Sequence, residues 1–247
     1  MHHSARIHLV SFADGAFTAR RAGFLQEARE MDVFDNVQVF EGLQLPANFL
    51  QQHGDFLRAH ARGFGYWIWK PRIIATVLQQ SAADDLVVYL DVGFTLNRGG
   101  RARLLEYLDI ALDSPYRMLS FQTVHTESLW TKADLAQHLG VASSPSVMHS
   151  SQLTSGFLIL GKTADNIELV QHWQAVAVAD GYRYSDDSPS VLPNHGEFRE
   201  HRHDQSISSL LRKLRGTTIT HYEVQLYDQY FTALQPKLPA WATRRRT

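Results

Sequence analysis

The chain contains no cysteine. Disulfides, thiolate metal sites and a cysteine nucleophile are therefore excluded, and the composition suits a reducing compartment. Nor is there any run approaching the ~18–20 apolar residues of a membrane span, and no apolar signal-peptide segment opens the sequence. Charge of one sign is missing too: 24 Lys and Arg stand against 25 Asp and Glu, for a formal net charge of −1. That balance excludes a globally basic nucleic-acid binder, while local patches remain open. A cytoplasmic protein without a nucleic-acid partner is expected. The 247 residues, 44% of them hydrophobic, can bury a real core, and one α/β domain over 1–247 is the simplest organisation.

What is present is concentrated between Gly63 and Asn97. Leu86–Leu90 (LVVYL) is a continuous apolar run rich in β-branched residues, which predicts a central strand covered on both faces. Asp91-Val92-Gly93 follows, so a carboxylate stands where the strand leaves the sheet, the edge at which open α/β sheets bind ligands. Asp91 there either holds a divalent metal or sugar hydroxyl, or simply caps a turn. Upstream, Tyr66, Trp67 and Trp69 form an aromatic cluster that reads as a packing plug or as part of a site. Lys70 precedes Pro71, which suits the first turn of a helix. A lysine beside a helix N-terminus fits a diphosphate, with the ammonium and the backbone N–H groups facing one anion.

The rest of the chain alternates strand and helix. Arg6–Phe12 predicts a first strand and Asp14-Gly15 breaks it. From Ala16 the residues Phe17, Phe24, Leu25, Ala28 and Met31 share a helical face, and Val37–Phe40 is a second strand. Such a β-α-β opening begins many doubly wound nucleotide-binding sheets. A loop and helix over 46–64, a helix through Leu104–Leu112 and a strand over Arg117–Thr123 follow. Thr131 as N-cap with Asp134 at N3 predicts a capping-box-like helix start, and Trp130 and Lys132 are candidates to touch an acceptor. Ser143–Gln152 reads as a loop long enough to be a lid. Thr154-Ser155-Gly156 then opens a strand at Phe157–Leu160, and small residues there let a ligand approach the backbone. A helix over 164–179 leads into a Ser-, Asp- and Pro-rich stretch, 181–198, without periodicity. Tyr222–Tyr230 is a candidate last strand, His221 a candidate to approach a metal, and Leu238–Arg246 an apolar patch with a basic tip. That tip is read as solvated, with weak peripheral contact to an anionic membrane as the alternative.

Near the C-terminus, Ile207, Leu210, Leu211 and Leu214 recur at helical spacing, placing Asp204 at a helix start. It reads either as an N-cap, worth roughly 1 kcal/mol, or as a catalytic carboxylate acting as general base or stabilising an oxocarbenium-like centre. His203 or His201 offers a neutral imidazole to a metal.

Gly65-Tyr66-Trp67-Ile68-Trp69-Lys70-Pro71, Tyr89-Leu90-Asp91-Val92-Gly93 and His201-Arg202-His203-Asp204-Gln205-Ser206, in this order, resemble motifs of bacterial nucleotide-sugar glycosyltransferases of the GT-A fold, many of which build surface polysaccharide. The resemblance implies an α/β, Rossmann-like fold with a mostly parallel central sheet flanked by helices. It implies a nucleotide-binding half at about 5–97 and an acceptor-side half at about 98–247. It also implies transfer of a sugar, as in a hexosyltransferase, from a nucleotide diphosphate donor, UDP-linked in the first instance, to a saccharide or lipid-linked saccharide acceptor. A Mn²⁺ or Mg²⁺ cofactor would sit on Asp91, with three alternatives for the rest of the site: His203 or His221 is recruited to it, the metal is held weakly, or the diphosphate depends on Lys70 and helix N–H groups instead. Ser11, Phe12 and Asp14 would lie against the nucleotide base; Trp69, Lys70, Gly93 and Gln205 would line the donor. Ser155 and Gly156 would lie near the transferred sugar or the acceptor, and Asp204 would be catalytic. Many enzymes of this fold carry Asp-x-Asp; this chain has Gly93 at the second position. Cytoplasmic location is expected, with peripheral contact at the inner membrane as the alternative to a solvated tail.

Two other classes compete. His195, His201 and His203, with nearby acids, offer the ligands of a metal-dependent hydrolase, although Gln205 and Ser206 break the His-x-His-x-Asp-His pattern of one such superfamily. A non-catalytic sugar- or nucleotide-binding module would keep every binding feature and show no product.

Overall fold

The computed structural model describes residues 5–221, 223 and 233–247; the expected strand at Tyr222–Tyr230 lies outside the described residues except at Glu223. The opening is as the hydrophobic pattern predicts: β1 (Ile7–Phe12), α1 (Arg20–Met31) and β2 (Asn36–Phe40). The helix begins later than Ala16, because Asp14 caps a separate 3₁₀ turn at Gly15–Phe17 by accepting the Gly15 N–H at 2.6 Å. Next come α2 (Ala47–Ala59), the single turn α3 (Gly63–Tyr66), α4 (Lys70–Gln80) and β3 (Leu86–Leu90). The short strand β4 (Thr95–Leu96), α5 (Arg101–Asp113) and β5 (Met118–Thr126) follow. Three small helices, α6 (Glu127–Trp130), α7 (Ala133–His138) and α8 (Pro145–Met148), precede β6 (Ser151–Gly161). The chain continues through α9 (Ala164–Val178), α10 (Asp204–Arg215), β7 (Thr218–His221) and β8 (Ala240–Trp241).

The central sheet has six strands in the order β2-β1-β3-β6-β5-β7. The β1–β2, β1–β3 and β5–β7 pairs are parallel, and β6 runs antiparallel to both neighbours, β3 and β5. It is a mostly parallel sheet with helices on both faces. Residues of β3 alternate between two cores: Val87 and Tyr89 join the one beneath α2, α4, α9 and α10, while Leu86, Val88 and Leu90 join the one beneath α1 and α5. All five are buried, which is why the run carries no polar alternation.

Several local expectations are corrected. Asp134 accepts no bond from its own helix start; it takes the Val191 and Leu192 N–H groups and pairs with Arg183. Thr131 donates instead to Glu127 Oε2, one turn earlier in the chain, at 3.0 Å, so a local carboxylate takes the hydroxyl and distant N–H groups take Asp134 in place of the predicted capping box. The Ser143–Gln152 lid is replaced by the α8 turn and the start of β6, so Ser155 and Gly156 lie inside a strand. Leu214 is 50% exposed, unlike Ile207, Leu210 and Leu211. The C-terminal stretch is docked: β8 pairs with β4, and Arg245 N–H donates to Gly93 O at 2.9 Å. Among the described residues no helix is long and apolar enough to cross a membrane.

Candidate active site

The site is built on an unusual turn. Residues Gly63, Phe64, Gly65, Tyr66 and Trp67 all have positive φ, between 49° and 78°, a left-handed turn that costs L-residues roughly 1–2 kcal/mol each. Gly63 and Gly65 ease it, since a Cβ on them would lie 2.4 Å from the Trp67 ring and 2.6 Å from Leu57. The turn is closed by Trp69 Nε1 donating to Gly63 O at 2.9 Å, and the Trp69 ring stacks on Phe12 at 3.8 Å. Its effect is to aim the first residue of α4, Lys70, at the carboxyl end of β3.

Lys70 is buried there. Its Nζ lies 2.7 Å from Asp204 Oδ2 and 3.3 Å from Asp91 Oδ1, and it donates to the carbonyl and hydroxyl of Ser155, both at 3.3 Å. A cation at a helix N-terminus opposes the helix dipole; two carboxylates compensate. Burial by itself would depress the Lys70 ammonium, but Asp204 and then Asp91 outweigh it and hold its pKa above the ordinary lysine value. Tyr89 sits two residues before Asp91, hence on the same face of the strand, and its hydroxyl donates to Asp91 Oδ1 at 2.6 Å. Burial, followed by the Asp91 charge, pushes that phenol well above its usual range.

Asp204 is the first residue of α10, not its N-cap. That position is His203, with φ 50° and ψ −123° and no side-chain capping bond. The Asp204 carboxylate turns away from its own helix to accept the Ser155 hydroxyl at 2.6 Å and to meet Lys70. A backbone held at positive φ in a non-glycine residue is strain of the kind that collects at functional sites. Across from Asp91, a Cβ on Gly156 would fall 2.8 Å from Asp91 Oδ2, so glycine keeps space beside that carboxylate. Gln205 accepts the Ser155 N–H at 3.3 Å and donates to Gln152 Oε1 at 2.6 Å.

Not every predicted site residue reaches this point with a free polar group. Ser11 is fully buried, its hydroxyl donating to Leu90 O at 2.6 Å. Phe12 is buried in the aromatic layer with Phe64 and Trp69, whereas Asp14 is half-buried beside Gly42. Gly93 is a tight place for a second acid: a Cβ there would lie 3.0 Å from the Phe17 ring and 3.4 Å from Arg244 Cα, so a neighbour would have to shift. The docked C-terminal segment occupies that place.

The histidines divide. His201 is engaged at both nitrogens, Nδ1 accepting the Lys132 N–H at 3.3 Å and Nε2 donating to Tyr184 O at 2.8 Å; burial lowers its pKa to about 3. His203 Nδ1 donates to Ser185 O at 2.7 Å, its ring packs on Tyr66 and Trp67, and Nε2 faces Asp187 at 3.6 Å. His195 stands on the surface with His149 and Glu197. The trio required by the hydrolase reading therefore does not converge, and Asp91 and His203 belong to no cluster of three ligand residues among the described residues. His221, on β7, is exposed.

A polar network behind the site went unread in the sequence. Glu127 is fully buried and accepts from Thr131, Gln152, Ser209 and Lys213. Arg212, also buried, donates to Ser120 and to the carbonyls of Leu153 and Thr154, and burial pulls its pKa down to about 9. The signal was available: Ser206, Ser208, Ser209 and Arg212 share α10 with the apolar stripe, and small hydroxyls on a buried helix mark a polar interior contact.

The fold is shared with solved glycosyltransferases. Mouse xyloside xylosyltransferase 1, in its apo form, matches with a TM-score of 0.50 over 96% of this chain and 97% of that chain, at 12% identity. The galactosyltransferase LgtC, in complex with donor and acceptor sugar analogs, matches with 0.45 over 95% and 86%, at 13% identity. A glycosyltransferase involved in the glycosylation of the major capsid of PBCV-1 matches with 0.42 over 79% and 81%, at 12% identity. No protein-family model and no curated protein matches the sequence. The α/β architecture, a mostly parallel six-stranded sheet flanked by helices, is thus of the GT-A glycosyltransferase type.

Proposed function

We propose that the chain is a glycosyltransferase that moves a sugar from a nucleotide diphosphate donor, UDP-linked in the first instance, to a saccharide acceptor. One observation carries this reading: Lys70 joins Asp91 and Asp204, so three motifs far apart in sequence meet at the carboxyl end of β3. Asp91 is the accessible acid, its side chain 38% exposed. Its Oδ1 is taken by Tyr89 and Lys70, while Oδ2 accepts no hydrogen bond from the described residues. A Mg²⁺ or Mn²⁺ ion is commonly held by one or two carboxylates together with substrate phosphates, and Asp91 fits that part as the single protein ligand. Such an ion would supply positive charge against the diphosphate. His203 has no place in that ligand set, because its Nε2 faces Asp187.

Lys70 then acts on the donor through the two acids, holding them together and balancing their charge, and contacts the diphosphate only by leaving that pair. Asp204 is the catalytic carboxylate, set at the positive end of α10 and fixed by Ser155. Gly156 leaves room for the sugar beside Asp91. The acceptor is a saccharide, free or lipid-linked, of the kind assembled into bacterial surface polysaccharide. The chain acts as one domain in the cytoplasm.

The test is thermal melting with a panel of nucleotide diphosphates and nucleotide sugars, each with and without Mn²⁺, followed by product analysis with saccharide acceptors. A Mn²⁺-dependent rise with one nucleotide and formation of a new glycoside are expected. Saturable binding without any product would reduce the protein to a binding module, and no response to any nucleotide would end the transferase reading.

A further inference from the structure

Away from the Lys70 cluster, His149, His195 and Glu197 bring their ligand atoms within 4.8 Å of one another at the surface. They come from separate stretches. His149 follows the α8 turn just ahead of β6. His195 and Glu197 lie in the 183–203 segment, which has no helix or strand and runs into Asp204.

Their arrangement is close to that of a bound ion. His195 Nδ1 is already 3.6 Å from Glu197 Oε1, and the His149 and His195 rings meet edge to face at 5.3 Å. Tetrahedral zinc, with bonds of about 2.0–2.1 Å, sets its ligand atoms roughly 3.3 Å apart. Exposed side chains can close that difference by small rotamer changes. Glu197 is also oriented from behind: the Ser128 hydroxyl donates to its Oε1 at 2.7 Å, the type of outer contact that fixes a ligating carboxylate.

We propose that His149, His195 and Glu197 form a surface site for a zinc-class divalent ion. Two imidazoles and one carboxylate favour Zn²⁺, Co²⁺, Ni²⁺ or Cu²⁺ over Mg²⁺, Mn²⁺ or Ca²⁺, and three protein ligands leave a fourth position to water. The ion pins the 183–203 segment to the corner before β6. That segment supplies the Tyr184 and Ser185 carbonyls that hold His201 and His203, so the metal braces the approach to Asp204. The site does not depend on the transferase reading, and Asp91 plays no part in it.

Calorimetric titration of the chelator-stripped chain with ZnSO₄ tests this, with melting curves taken in parallel. One equivalent should bind in the micromolar range or tighter, with a rise in Tm. His149→Gln, His195→Ala and Glu197→Gln should each weaken binding at least about tenfold and abolish the zinc-dependent rise. Their metal-free Tm should match the parent, since all three side chains are exposed. Asp91→Ala should bind zinc as the parent does. Acidification should weaken binding, because the imidazoles must be neutral to ligate. Zinc binding that survives the three substitutions, or no saturable binding below about 100 μM, would overturn the proposal. Equal affinity for Mn²⁺ would overturn the metal class.

Discussion

The Lys70 ammonium lies 2.7 Å from Asp204 Oδ2, with both side chains buried. Each would be costly in that position without the other, and the pair links the start of α4 to the start of α10 across the end of β3. Removing one partner of a buried pair typically costs about 3–5 kcal/mol, because the remaining charge is left uncompensated. Lys70→Met is therefore expected to lose stability of that order in urea unfolding, since it leaves two carboxylates around an apolar side chain. Stability equal to that of the parent would show that the pair contributes nothing to the fold.

The two carboxylates should separate functionally. Asp204→Ala is expected to abolish transfer while donor affinity stays within a few-fold, because Asp91 remains. Asp91→Ala should mainly weaken metal-dependent donor binding. Melting shifts with donor nucleotide, read beside turnover, distinguish the two. Unchanged donor affinity and activity in Asp91→Ala would remove its assigned role.

Gly156→Ala places a methyl group 2.8 Å from Asp91 Oδ2. Overpacking of this kind costs typically 1–3 kcal/mol when the neighbour must move. Since Asp91 is half-exposed, it is the group that should yield. The expected result is a raised donor KM with only a small loss of thermal stability. A KM equal to the parent's would mean that the space beside Asp91 is not used by the donor.

The buried histidines set an acid limit. Burial holds His201 neutral with a folded pKa of about 3, against an ordinary value of 6.5, and lowers His203 in the same direction. The unfolded chain then binds more protons than the folded chain below the unfolded pKa, so stability is retained above pH 6.5 and lost as pH falls toward 3. The loss should reach several kcal/mol over that window. Urea midpoints measured from pH 7.5 to 4.5 should decline, and His201→Gln, which can keep one of the two hydrogen bonds, should flatten the decline. A pH-independent midpoint in the parent would contradict this.

Local pattern determined a good deal about this protein. The β-branched run at Leu86–Leu90, the helical faces of α1 and α5, and the positions of Lys70, Asp91 and Asp204 at the ends of their elements all follow from periodicity and turn chemistry, which act over a few residues. What those ends do was decided only by the tertiary structure. Asp204 looks like an N-cap until Ser155 and Lys70 take its carboxylate, and Thr131 looks like one until Glu127 accepts its hydroxyl. Lys70 reads as a diphosphate ligand until two acids surround it. Ser11 reads as a contact for the nucleotide until its hydroxyl meets Leu90 O. Gly93 looks like a lost acid, yet Phe17 and the C-terminal segment packed against it leave little space for one. Even the His-rich run separates, because strand order and the path of the 183–203 segment send His195 to the surface and His201 to the interior. Glu127 apart, which stands one helical turn before Thr131, the deciding partner lies far away along the chain. A buried polar group must find a partner wherever packing supplies it, and short-range pattern carries no record of that.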